Sequence, residues 1–102
     1  MIHVIAIITT KPGQRETVLA AFRANVPAVH AEKGCIEYGP AIDAAGMGKI
    51  QTAFGADTFV VIEKWATADD LKAHAAAPHM AAYAAKVKDH LAGRVIHVLS
   101  PA

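Results

Sequence analysis

Cysteine is almost missing from this chain: Cys35 stands alone among 102 residues, so no disulfide can form within it. Serine is equally scarce. Ser100, near the C-terminus, is the only one and has no G-x-S-x-G elbow around it, which argues against a serine-hydrolase triad. Neither sign of charge dominates, with ten basic against nine acidic residues and a pI near 8.0. No basic stripe is therefore available for nucleic acid or an anionic membrane surface, and neither partner is expected. Long apolar runs are also lacking. The longest branched one, Val4-Ile5-Ala6-Ile7-Ile8, falls far short of the roughly 18 residues of a membrane-spanning helix. Met1-Ile2-His3 lacks the cationic start of a signal peptide, so a cytoplasmic protein is expected.

The cofactor motifs are missing as well. The glycines of Ala45-Gly46-Met47-Gly48-Lys49 do not build a phosphate loop, and no G-x-G-x-x-G follows a strand. His74 and His79 miss the i, i+4 spacing of a helical zinc pair and have no cysteine partner, so no metal site is expected. Cys35, without a distinctly basic neighbourhood, reads as a small core residue and not as a nucleophile.

What the chain has in excess is hydrophobicity: 54% apolar residues and a mean hydropathy of +0.30. That is high for a single domain spanning 1–102, too small to hide much surface in its own core. Alanine contributes much of the count and little area, but some of the surplus should face a ligand or another chain.

Periodicity organises the surplus. Residues 2–9 are rich in β-branched types and stop at Pro12-Gly13, which marks a first strand. Val18, Leu19, Phe22, Val26 and Val29 then recur at helical spacing, predicting a helix to about Glu32 with a kink at Pro27 and a cap at Lys33-Gly34. A second strand is expected from Cys35 to about Asp43. The glycine-containing connection 44–57 follows, with Met47 and Phe54 as candidates for a lid. Thr58 to Trp65 is a third strand. Thr67 and Asp70 form a helix start for a short helix through Ala76, and Pro78 opens another that carries Met80, Tyr83, Ala84, Val87 and Leu91 on one face and ends at Gly93. Arg94 to Leu99 is the last strand. The order is the ferredoxin-like β-α-β-β-α-β, an α+β fold with a four-stranded antiparallel sheet and helices on one face.

In Val4–Ile8, Phe59–Ile62 and Val95–Leu99 consecutive residues are apolar, so both faces of the sheet avoid water. With helices on only one face, a second copy is the economical cover for the other, which predicts a homodimer through the sheet faces.

Strand alternation puts Phe59, Val61, Glu63 and Trp65 on one face; helix spacing brings Leu71 and His74 together, and Met80 and Tyr83 turn inward from the last helix. If that strand face is the helix-covered one, these groups line a cavity between sheet and helices suited to a flat aromatic ligand. His74 is a candidate base for a phenolic proton, since imidazole titrates near neutrality, and the alternative is hydrogen-bonded structure. His79, beside Pro78, has a local structural reading. Glu63 on a buried strand requires a partner.

These residues resemble a known family. Thr10-Lys11-Pro12-Gly13-Gln14, Glu32-Lys33-Gly34-Cys35-Ile36-Glu37-Tyr38, Phe59-Val60-Val61-Ile62-Glu63-Lys64-Trp65 and Leu71-Lys72-Ala73-His74 with Pro78-His79-Met80 are similar to the antibiotic biosynthesis monooxygenase superfamily. Gln51 and the loop ending in Asp57 point to its bacterial quinol monooxygenase branch. The resemblance implies a homodimeric α/β barrel of ferredoxin-like protomers that oxidises a menadiol-like hydroquinone with O₂, without metal, flavin or haem. It also implies a catalytic base, His74, with Trp65, Tyr83, Met80, Phe59, Glu63 and His79 around the substrate. The polyketide oxygenases of the superfamily carry an asparagine and a tyrosine where this chain has Val61 and Leu71, so only Trp65 carries over from that set. The haem-degrading relatives require a first-strand asparagine and a ligating histidine; residues 2–9 lack asparagine and the ligand position is Ala84. The competing readings are a non-enzymatic dimeric binding or stress-response module, and an isomerase or another oxygenase on the same dimeric scaffold.

Overall fold

A computed structural model describes residues 1–102. Its four strands are β1 (Ile2–Thr10), β2 (Cys35–Ala41), β3 (Thr58–Trp65) and β4 (Leu91–Leu99), and its helices are α1 (Arg15–His30), α2 (Ala68–Ala75) and α3 (Pro78–Val87). The sheet is antiparallel throughout in the order β2-β3-β1-β4, the ferredoxin-like arrangement with the second helix in two pieces. No helix is long and apolar enough to cross a membrane.

The local signals act where chemistry requires. Thr67 caps α2, its hydroxyl accepting the Asp70 backbone N–H at 3.1 Å, and Pro78 opens α3 where no helical donor is needed. α1 runs unbroken through Pro27. It ends at His30 with Ala31 as its cap, short of the expected Lys33-Gly34. Gly34 serves instead in the following turn, at φ +79°, where a Cβ would overlap the Asp70 carboxylate. Its carbonyl accepts the Ala66 N–H at 2.8 Å, so this turn and the start of α2 are docked together.

Three further boundaries differ from expectation. β2 stops at Ala41, two residues before Asp43, whose carboxylate instead accepts the backbone N–H groups of Phe54 and Gly55 at 3.0 and 2.9 Å. Those two bonds hold the Asp43 carboxyl below the usual range and pin the 42–57 connection to itself. At the other end of the chain, Gly93 lies inside β4 and does not end a helix. α3 closes at Val87 and a 3₁₀ turn over Lys88–His90 leads into the strand, placing Leu91 in the sheet beside an irregularity at Thr9/Thr10.

The register pairs Val4, Ala6 and Ile8 of β1 with Glu63, Val61 and Phe59 of β3, and these residues face the helices and are buried. Phe22 of α1 joins the two layers. Its ring stacks on Tyr38 at 5.2 Å and meets Phe59 and Tyr83 edge-on at 5.7 and 6.0 Å. The opposite face has no cover. Directly paired residues share a face, so Ile5, Ile7, Ile62, Val95 and Leu99 line it together. β4 is uncovered on both sides, with Val95 53% and Val98 56% exposed.

Candidate active site

The site is built where the end of α1, the outer half of β3 and the two short helices meet. His74, on the last turn of α2, lies one helical turn beyond Asp70, so the docking of Asp70 over Gly34 carries His74 toward Glu32. The Nδ1 of His74 stands 2.7 Å from Glu32 Oε2, and the Nε2 of His79, from the first turn of α3, stands 2.7 Å from Glu32 Oε1. One carboxylate thus joins both histidines. On the sheet side, the Trp65 indole N–H donates to Glu63 Oε1 at 2.9 Å. The same oxygen lies 3.9 Å from His74 Nε2, beyond hydrogen-bond reach.

Aromatic rings hold the imidazole from two sides. Trp65 lies against His74 with centroids 4.6 Å apart at 32°, and Tyr38 meets it edge-on at 5.3 Å. His74 retains only 6% of its side-chain exposure. Burial dominates the electrostatics here. It raises Glu63 above the ordinary carboxylate range; the Trp65 hydrogen bond and His74 oppose that, and Glu32 adds to it. Burial likewise pushes the Tyr83 phenol up to about 12 and raises Tyr38 further, with Glu63 contributing at Tyr38. Both phenols therefore stay neutral donors at physiological pH. Cys35 is raised by burial and by Glu32 and Glu63, in keeping with a half-buried thiol packed on the core.

Between sheet and helices Trp65 and Phe59 are fully buried, and the rings of Tyr38, Phe59 and Tyr83 interlock around Phe22. Two clefts lie among the helices. A cleft of about 680 Å³ is lined by Ala28, Glu32, Ala73, His74, Pro78 and His79 among others. A second of about 240 Å³, between α1 and α3, shares His79 and includes Asn25 and Tyr83. Of the residues expected at the site, His74 and His79 border the large cleft and His79 and Tyr83 the small one. Glu63, Trp65 and Phe59 stand behind them on β3, and Met80 is half-buried, with its sulfur 3.4 Å from Asn25 Nδ2. Sequence reasoning missed Glu32 as a site residue, although it opens the Glu32-Lys33-Gly34-Cys35 segment. No group of three or more histidine, cysteine or carboxylate side chains is disposed to hold a metal ion.

Residues 1–86 match the antibiotic biosynthesis monooxygenase family. The chain belongs to that family. It is accordingly an oxidoreductase of the monooxygenase type, and it is 41% identical over 103 residues to the probable quinol monooxygenase YgiN of Escherichia coli, covering 99% of this chain and 98% of that one. Among solved structures it is similar to PA3566 from Pseudomonas aeruginosa, with a TM-score of 0.81 at 26% identity over 99% of this chain and 93% of the other. A putative antibiotic biosynthesis monooxygenase from Nitrosomonas europaea shares the fold, with a TM-score of 0.83 at 22% identity over 99% and 98% of the two chains.

Proposed function

We propose that this family member oxidises a small aromatic hydroquinone of the menadiol type with O₂, and that His74 is the base that starts the reaction. The observation that carries the reading is the disposition of the His74 ring. Its Nδ1 is engaged by Glu32, while Nε2 makes no hydrogen bond and faces Glu63 Oε1 across 3.9 Å. That nitrogen is therefore free to take the proton of a substrate hydroxyl brought to His74 from the cleft it borders. The resulting anion is electron-rich and passes an electron to O₂; the caged pair recombines, one oxygen atom enters the ring and the other leaves as water. Hydroquinone plus O₂ gives hydroxyquinone plus water, with all four electrons from the substrate.

The surroundings suit this chemistry. Alanines and Pro78 give the larger cleft apolar walls, and the Trp65 and Tyr38 rings exclude water from the imidazole. His79 and Tyr83 border the approach with Met80 beside them, and Glu63, Trp65 and Phe59 back His74 from β3. The 41% identity to a probable quinol monooxygenase favours the quinol over other aromatic alcohols. The uncovered sheet face supports the homodimer: its apolar side chains would otherwise remain in water in a chain of 102 residues.

The test is oxygen uptake by purified, metal-stripped protein with menadiol and related hydroquinones, corrected for autoxidation, with ¹⁸O₂ used to follow the product. Protein-dependent uptake with one labelled atom in the quinone is expected. Absence of uptake across the panel would overturn the assignment, and unlabelled quinone with hydrogen peroxide would make the enzyme a quinol oxidase.

A further inference from the structure

We propose that Glu32 and His79 are positioning residues that fix the reactive tautomer of His74. The inference rests on His74 being the base. An ionised carboxylate only accepts hydrogen bonds, so each imidazole nitrogen facing Glu32 carries a proton. His74 is then protonated on Nδ1, and when neutral its lone pair is on Nε2, the nitrogen turned toward Glu63. Freed from Glu32, the ring can carry its proton on Nε2 and has no lone pair to offer there. The tautomer of the base is thus set by the nitrogen that does no chemistry.

Glu32 alone is a weak constraint. It lies just past the C-terminus of α1, on a flexible side chain that remains 17% exposed, and one imidazole on one oxygen leaves the carboxylate free to rotate. His79 removes that freedom by donating from Nε2 to the second oxygen at 2.7 Å. The two donors come from different helices, so the carboxylate is clamped between the end of α2 and the start of α3. His79 makes this bond although its other nitrogen, Nδ1, is buried with no partner. A buried ring nitrogen without a partner is unfavourable, and the bond to Glu32 is what this ring position provides. The unsatisfied nitrogen is what holding Glu32 entails.

Two readouts test the assignment. Long-range ¹H–¹⁵N spectra of the imidazoles, recorded on the intact free protein at a pH where His74 is neutral, report the tautomer directly. The wild type should show His74 protonated on Nδ1. Glu32→Ala, which removes the acceptor, should shift it toward Nε2 or an average of the two, His79→Leu should do so in part, and His79→Gln, which keeps an N–H donor, should restore the wild-type signature. With menadiol and O₂, kcat should fall about 100-fold in Glu32→Ala. It should fall about tenfold in His79→Leu with KM little changed, and largely recover in His79→Gln. An unchanged His74 signature in both Glu32→Ala and His79→Leu, with folding verified by circular dichroism, would overturn the proposal. Loss of quinol oxidation by the wild type would instead remove the functional reading and leave the tautomer measurement to decide this one.

Discussion

The two faces of the sheet are built from nearly the same residue types and have opposite fates. On the helix-covered face, Val4, Ala6 and Ile8 of β1 lie beside Glu63, Val61 and Phe59 of β3 and are sealed by Phe22. On the other, Ile5, Ile7, Ile62, Val95 and Leu99 form an apolar surface with nothing over it. The difference lies in what packs on top. The covered face can hold a buried carboxylate because the Trp65 indole donates to Glu63, whereas the open face carries polar groups such as Lys64 and Glu37 in an exposed ion pair at 3.0 Å. One face supports chemistry, and the other is suited to assembly.

Three substitutions probe that division. The largest effect is expected at the covered face. Phe22→Ala removes the ring on which Tyr38, Phe59 and Tyr83 converge, and should cost about 3–5 kcal/mol of stability in denaturant unfolding. A cost below about 1 kcal/mol would mean that the aromatic layer is not the organising core.

A smaller effect, distinguished by its pH dependence, is expected at Glu63. Its carboxyl is raised in the folded state, so the fold favours the protonated form. The folded protein binds more protons than the unfolded chain, and stability is lost as pH rises from the ordinary glutamate range through the raised value. Glu63→Gln retains an acceptor for the Trp65 indole and removes the charge. Its Tm advantage over the wild type should be absent at pH 4 and grow toward pH 8; a pH-independent difference would remove burial as the dominant cause.

The smallest change in protomer stability belongs to the open face. Val95→Lys should alter it by no more than about 0.5 kcal/mol, yet reduce the molar mass measured by light scattering from twice 10.7 kDa to a single protomer. A wild type that is already monomeric would leave the open face without its proposed role.

Most of the fold was legible because strand and helix periods survive in the sequence. The alternation from Phe59 to Trp65 grouped the residues of one face, which the structure shows to be the covered one, and Thr67 with Pro78 identified the helix starts. Gly93 misled, since glycine ends helices and relaxes strands alike, and only pairing with Thr9 distinguishes the two. The site was half legible. His74 stood out by residue type beside an apolar stripe, but Glu32 lies 42 positions away in sequence and reads as one more charge after a helix. Its role arises from the docking of Asp70 over Gly34, a tertiary contact with no local signature. The tight packing around Phe22 has a similar origin: spacing indicates which side chains point inward and not how completely their volumes fill the space.

The proposed reaction turns on His74, and its most direct measure is the rate of oxygen consumption with menadiol for the wild type and His74→Ala, autoxidation subtracted. Clear consumption by the wild type and a loss of about 100-fold or more in the variant are expected; equal rates in the two proteins would remove His74 as the base.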